Sequence, residues 1–456
     1  MRRVVKVSRI RIVMTIIVVI FVTLLTGCTG KEPNEIAYVV ALGIDSTDDD
    51  NYKITIQYAN TTQISGGASE SGGKAGSEIV DNVTIEAPNI YAGVGLANNI
   101  VSKSFSMSHA KLIVFSKEIA EKGVKDMIET LVRSEEIRPD VFIAVANTTA
   151  NDYLTAVNPE MEVNPAQYYQ LIYQKNQLVG IPDGQLREFF TGLYTDNYDS
   201  ILPIAGVIEG SGGNSQNDDK GQSKDGQNEG SEGSSESLDS FESKSSNEKD
   251  ENEKEKDAEK NTSKYEYDIK NYVGGETAIE KKNKAEAIGA AVFEKDKMVG
   301  ELGEVETEIC KMLKGDYTYS YLTYYNNDTP DIPITVKTTQ QKKPKYKIDT
   351  DKKTVDIELY IESDLYSLPA DYNVENKIED FERDVANYTS SACTEFINNF
   401  TKKYNSDILK LNEKIKYKFL TNNQYNWFKK NVGWSEYKFS VCTNFKVRRT
   451  GLIVRE

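Results

Sequence analysis

One histidine, four cysteines and two tryptophans stand in a chain of 456 residues, and each scarcity removes a class of chemistry. With His109 as the only imidazole, a zinc site built on two or more histidines is excluded, and a Ser-His-Asp arrangement would have to pass through His109. The cysteines, Cys28, Cys310, Cys393 and Cys442, form no CxxC pair. A disulfide framework or cysteine-rich metal site is therefore not expected, and the last three read as buried thiols. Hydrophobic residues make up 38% of the chain, below the usual roughly 45–50%, a deficit explained by polar linker diluting ordinary domains. Positive charge is short as well: 71 acidic against 55 basic side chains give a net charge of −16. Such a chain repels phosphate backbones, so no nucleic-acid partner is expected. The sequence contains no GxSxG elbow, and Gly73-Lys74 fails as a phosphate loop because Ala68 and Ala75 occupy the glycine and hydroxyl positions. The acidic turn Asp45 to Asn51 lacks the glycine and terminal glutamate of a calcium loop. No catalytic residue, metal ligand or cofactor is assigned.

What is present begins at the N-terminus. Residues 1–11 carry five positive charges and no negative one, and an apolar run follows from Ile12 to Leu25. This is a signal-peptide layout, and the run is short for spanning a bilayer core of about 30 Å. It ends in Leu25-Thr26-Gly27-Cys28, which resembles the lipobox of bacterial lipoproteins. There the small residues lie extended in a peptidase groove and the cysteine thiol takes a diacylglycerol. Two acyl chains anchor stably where one is marginal. Loss of residues 1–27 takes the formal charge from −16 to about −21, a surface with no overall attraction to anionic lipid.

Further along, Ile36 to Ile44 reads as a buried strand, and Tyr52, Ile54, Ile56 and Tyr58 alternate with polar residues, so a hairpin is expected. Met107 to Phe115 and Val141 to Ala146 read as core strands, with His109 a hydrogen-bonded structural residue opening the first. Val124, Met127, Ile128, Leu131 and Val132 place an apolar stripe on a helix. From about Glu209 to Lys264 apolar residues nearly vanish, and no core can form there. Strands then resume at Ala287–Phe293 and Met298–Leu302, with a helix from Glu304 stopped by Gly315. Val355, Ile357, Leu359 and Ile361 alternate, a helix of about thirty residues starts near Val374, and Phe439 to Val447 alternate again. The expected class is α+β: three mixed domains with largely antiparallel sheets, the last an antiparallel sheet packed on the long helix. The expected division is a signal peptide at 1–27, an N-terminal domain at 28–205, a disordered polar insertion at 206–264, a middle domain at 265–340 and a C-terminal domain at 341–456.

These pieces together resemble the Ger(x)C family of spore germination lipoproteins. The matching elements are Leu25-Thr-Gly-Cys28, Asn34 to Asp45, His109-Ala-Lys111, Ile119 to Gly123 and Arg133 to Arg138. Ile288 to Phe293, Met298 to Leu302, Glu306-Thr307, Trp427, Trp434 and Val447 to Gly451 follow in order. The chain departs from the family at Thr29 to Glu32, where Trp-Asp is usual, and at Asp407-Ile-Leu-Lys-Leu411, where a glycine-rich DIFGFG stretch is usual. The resemblance implies a non-enzymatic C subunit of a nutrient germinant receptor on the outer face of the spore inner membrane. It would be tethered through Cys28 and act beside a polytopic A subunit and a transporter-like B subunit. A substrate-binding lipoprotein of a transporter, or an exported carboxylate-dependent hydrolase, is the alternative. Trp427 and Trp434 are candidates for core or interface, and Arg448 and Arg449 for contact with headgroups or an acidic partner.

Overall fold

The computed structural model describes residues 13–17, 35–49, 51–59, 80–159, 162, 164–174, 180–195, 198–208, 271–277, 283–326, 329–367, 377–404 and 406–450. Cys28 and the polar insertion from 209 onward lie outside the described residues. Among the described residues no helix is long and apolar enough to cross a membrane.

The larger sheet grows outward from Ile36–Ser46 (β1), whose near-continuous apolar run is buried on both faces, as a central strand covered by helices on each side requires. Tyr52–Ala59 (β2) returns antiparallel in the expected hairpin, with Leu42 opposite Ile56, and Val80–Ala87 (β3) extends that flank. On the other flank Leu112–Ser116 (β5), Phe142–Ala146 (β6) and Ile201–Val207 (β7) follow β1 in parallel. Ala285–Glu294 (β8) and Lys297–Leu302 (β9) then close the sheet antiparallel. Ser104–Ser106 (β4) lies parallel to the first residues of β1. Antiparallel pairings outnumber parallel ones by seven to five, and the class is α+β with mixed sheets. The parallel centre follows from the connections, since parallel neighbours need a crossover. Lys117–Lys122 (α2) and Lys125–Val132 (α3) carry the chain from β5 back to β6. Ala150–Ala156 (α4), Pro165–Gln174 (α5) and Leu186–Thr195 (α6) do so from β6 to β7. Ile90–Ala97 (α1) covers β2 and β3.

Several polar groups inside this part have well-placed partners. Asp45 is buried at the end of β1, and its carboxylate accepts from the backbone N–H groups of Ala150 (2.6 Å) and Asn151 (3.0 Å) at the start of α4. Gln57 accepts from Tyr169 (2.5 Å) and donates to the Leu154 carbonyl (2.8 Å), while Tyr153 and Tyr173 share a hydrogen bond of 2.9 Å. The abundance of tyrosine thus includes a buried hydroxyl network beneath the sheet, where each ring fills volume and each oxygen finds a partner.

The second sheet contains Tyr319–Asn326 (β10), Thr329–Gln340 (β11), Lys345–Asp349 (β12), Thr354–Ser367 (β13) and Lys438–Arg449 (β14). β11 and β12 pair antiparallel with successive parts of β13, and β14 runs along it in parallel. The antiparallel placement expected of the last strand is therefore corrected. Ile378–Lys403 (α8) spans about 39 Å at 1.5 Å per residue, enough to return the chain along a fourteen-residue strand of about 46 Å. The result is a βαβ crossover. Between the sheets lies Glu304–Lys314 (α7), which ends at Gly315 with φ +84, a left-handed stop that glycine adopts without strain.

One feature of α8 shows how polar residues can build a core boundary. Backbone N–H groups of Phe439, Val441 and Thr443 on β14 donate to Asn398 (3.1 Å), Thr394 (3.0 Å) and Ser390 (2.9 Å). Val447 donates to Glu382 (2.8 Å). Two residues of strand rise match one helical turn, so side chains spaced by four along the helix meet alternate strand amides. The strand edge is satisfied by a helix instead of another strand, which removes a template for edge-to-edge association. Replacing Asn398 with alanine is expected to destabilise the chain by about 1–3 kcal/mol, because it orphans both the Phe439 amide and carbonyl. Denaturant unfolding of the variant measures this.

β7 and β8 are hydrogen-bonded neighbours, with Leu202 opposite Ala291. The larger sheet therefore runs across the interval between the expected N-terminal and middle domains.

Candidate functional site

The stretch that departs from the glycine-rich family pattern, Asp407 to Leu411, forms the junction of three chain segments. α8 ends at Tyr404, whose backbone is extended, and the Ser406 hydroxyl donates to the Phe293 carbonyl at the end of β8 (3.2 Å). Asp407 is 5% exposed. Its two carboxylate oxygens accept from the backbone N–H groups of Leu411 and Asn412, each at 2.8 Å, at the start of Leu411–Ile415 (α9). Its own N–H donates to the Asp199 carboxylate (2.8 Å), and the Asp199 N–H donates to the Asp407 carbonyl (3.2 Å). The other Asp199 oxygen accepts from the Lys295 N–H (3.0 Å) in the β8–β9 turn. Lys410, in a left-handed conformation at φ +56, pairs with Glu188 on α6 (3.2 Å) and stacks over the Tyr198 ring (4.1 Å).

Two cavities flank Tyr198 and Asp199. One, of 370 Å³, is lined by Asp183, Glu188, Lys314, Asp316, Tyr317 and Lys410. The other, of 610 Å³, is lined by Lys295, Asp407, Asn426, Lys430 and Trp434 among others. Both are lined by charges of both signs, so they suit small polar or zwitterionic occupants better than apolar ones. Both Asp407 oxygens are engaged by backbone, which makes it a structural hub in place of a proton-transfer group.

Burial pushes the Asp407 carboxyl up to about 7, against the lowering effect of the two backbone N–H groups. Burial likewise raises Glu308 on α7 to about 7, opposed by hydrogen bonds from Ser320 and Tyr317. Both folded values lie above the unfolded ones, so the stability these groups contribute is complete below about pH 4 and is lost as pH rises through about 7. The expected result is that Asp407→Asn loses this dependence: between pH 5 and 8 the unfolding midpoint of the parent chain falls relative to the variant. Parallel curves for the two would contradict the assignment.

The structure separates the sequence-predicted residues. Trp434 is 7% exposed and packs against Phe428 (6.0 Å) and Tyr437 (4.8 Å), whereas Trp427 on Asn422–Asn431 (α10) is 63% exposed. Arg448 pairs with Glu362 of the neighbouring strand (3.3 Å), and Arg449 is exposed at the strand end opposite Asp364. His109 sits in an exposed turn ahead of β5 instead of opening the strand. Its Nδ1 meets the Ser108 hydroxyl (3.0 Å), and its ring lies edge-on to Tyr38. Cys310 and Cys393 are buried, their thiols pushed up by burial to about 11 and about 12, but Cys442 is exposed on the outer side of β14. Asp199 was not singled out by sequence, and Asp407 only as the first residue of the stretch that stands where DIFGFG is usual.

Comparison with known proteins gives matches at both ends. Residues 30–207 match the family model described as the spore germination protein N-terminal domain. Residues 288–451 match that described as spore germination B3/GerAC-like, C-terminal. Together they cover about three quarters of the chain. Among curated proteins, spore germination protein KC of Bacillus subtilis is 27% identical over 35% of this chain and 42% of its own length. Spore germination protein B3 of the same organism is 26% identical over 30% of this chain and 36% of its own length. The matched region thus spans about two fifths of the length of these relatives. The crystal structure of the GerBC protein aligns with 89% of this chain and 96% of its own length, at 15% identity and a TM-score of 0.47. With both of its terminal segments matched in chain order, the chain belongs to the GerAC-like family of spore germination proteins.

Proposed function

We propose that this protein is the lipoprotein C subunit of a nutrient germinant receptor. It is held on the outer face of the spore inner membrane by diacylglycerol on Cys28 and assembles with the polytopic A and B subunits. It works by binding and assembly, without catalysis. The observation that carries this reading is the coincidence of a lipobox-like Leu25-Thr-Gly-Cys28 with family matches in both the N-terminal and C-terminal segments. The internal hub at Asp407 supports it, since a subunit that transmits a signal between membrane partners needs segments coupled to each other.

The test has two parts. Cys28→Ala is expected to release the protein from spore membranes washed at high salt, and full retention of the variant would overturn the anchor. Crosslinking and pull-down of the native chain is expected to recover permease-like polytopic subunits. Recovery with an ATP-driven transporter would favour a transport lipoprotein instead.

A further inference from the structure

The overall negative charge conceals a local segment of opposite character. Between Ile408 and Ser435 there are six lysines and one acidic residue, Glu413, in a chain of net charge −16. The same segment turns Tyr417, Leu420 and Trp427 to solvent, at 81%, 94% and 63% exposure. Leu420 directly precedes Thr421, the N-cap of α10, a position from which an apolar side chain commonly folds back on the first turn; here it does not. Along α10, Tyr425 and Phe428 face inward while Trp427 and Lys430 face out.

The exposed groups stand on a rigid base. Phe419 packs on Tyr425 (5.7 Å) and Phe428 (5.1 Å), and Phe428 on Trp434. Rings with one polar end, an aliphatic side chain and flanking lysines are the combination that settles at the level of lipid headgroups: apolar bodies enter the acyl boundary and ammonium groups meet phosphate. An acidic protein would satisfy the lysines but leave a leucine at 94% exposure unexplained.

Topology adds a second, independent observation. β1, β5, β6 and β7 are parallel, so their first residues share one edge of the sheet. Asp199, just before β7, holds Asp407 and through it the start of α9 at that edge. β1 starts at the same edge and overhangs it. Ala41 is already opposite Leu112, the first residue of β5, so Ile36 to Val40 project about 16 Å beyond. Eight residues from Cys28 to Ile36 reach at most about 28 Å. The start of β1 and Asp407 therefore lie at one end of the larger sheet, and a lipid on Cys28, a step that rests on the lipoprotein reading, would be tethered within that reach of Ile36.

We infer that Tyr417, Leu420 and Trp427, flanked by Lys416 and Lys430, form a second membrane contact that lies in the headgroup layer of an anionic phospholipid bilayer. The test uses the full chain isolated from membranes and mixed with vesicles of phosphatidylcholine, with or without phosphatidylglycerol, containing brominated acyl chains as quencher. Because Trp434 is buried, quenching reports Trp427; roughly half of the tryptophan emission is expected to be quenched in anionic vesicles. Trp427→Phe should abolish the quenching, and the double variant Lys416→Glu/Lys430→Glu should reduce it at least about fivefold. Flotation with the vesicles, scored separately, reports the acyl anchor. A chain that floats with an unquenched Trp427 overturns the contact and leaves the anchor intact. One that floats and is quenched only with anionic lipid supports the contact and removes the anchor. Crosslinks from Lys430 to an acidic protein in native membranes, with Trp427 unquenched, would reassign the surface.

Discussion

Substituting Asp407 by leucine is expected to destabilise the protein by about 3 kcal/mol or more, the larger part of it from amides left without partners. The two backbone N–H groups that Asp407 accepts, from Leu411 and Asn412, open α9 inside the junction, and the carboxylate that holds them is itself buried. Each orphaned buried donor costs about 1–3 kcal/mol, and the leucine side chain brings no compensating acceptor. Asp407→Asn keeps one acceptor of similar shape and should cost about 1–2 kcal/mol. As a control, Asp351→Leu alters an exposed turn residue and should remain within about 0.5 kcal/mol. Denaturant unfolding of the three variants orders them. If Asp407→Leu behaved like the control, the junction would not be the hub described here. A functional consequence follows from the same contacts. Loss of the α9 cap loosens the segment that carries Trp427, so the leucine variant should also show weaker vesicle quenching.

The residues that announced the fold most clearly were those whose burial has a simple period. β1, β2 and β13 were legible because apolar positions repeat every two residues or run unbroken, and α8 because Phe381, Val385, Tyr388, Ala392, Phe396 and Phe400 advance by threes and fours. The direction of β14 was not legible. Alternation places a strand's faces but says nothing about whether its neighbour runs with it or against it. The ladder of Ser390, Thr394 and Asn398 was equally hidden, since a polar stripe on a helix normally means solvent and here means strand amides. At the site, Trp427 and Trp434 are seven residues apart in similar aromatic surroundings, and only the packing of Phe428 and Tyr437 decides which is buried. Asp407 stood in the sequence only as the aspartate that opens the stretch in place of DIFGFG. Its role depends on Asp199, two hundred residues away, and no local pattern encodes that contact.

The second large effect is expected at Gly206 on β7, where a valine should cost about 3 kcal/mol or more and loosen the clasp that holds the two ends of the polar insertion. A Cβ at this position would sit within 2.6 Å of the Gly274 Cα and closer still to the Gly274–Gly275 peptide, so backbone would have to move. That backbone is tied down. Gly274 donates to the Ile288 carbonyl (3.0 Å), and the Gly275 N–H donates to the Glu286 carboxylate. Gly275 itself has φ +98, a conformation that favours glycine. Displacing it breaks these bonds and overpacks a buried strand, terms of about 1–3 kcal/mol each. The clasp lies where β7 leaves and β8 is about to begin, with Ile208 donating to Lys284 (2.9 Å) and Val207 to Asn147 (3.1 Å) beside it. A long insertion adds little closure cost once its ends are fixed, because that cost grows only with the logarithm of length. The same measurement on Gly95→Ala should show the opposite sign. Gly95 lies on α1 with nothing within 4 Å of an added Cβ, so alanine should stabilise by up to about 1 kcal/mol through helix propensity. Thermal unfolding of both variants, read with hydrogen exchange at Gly274 and Gly275, separates a local opening of the clasp from global loss. If Gly206→Val left those amides as protected as in the parent chain, the close approach of the two backbones would not be what holds this region together.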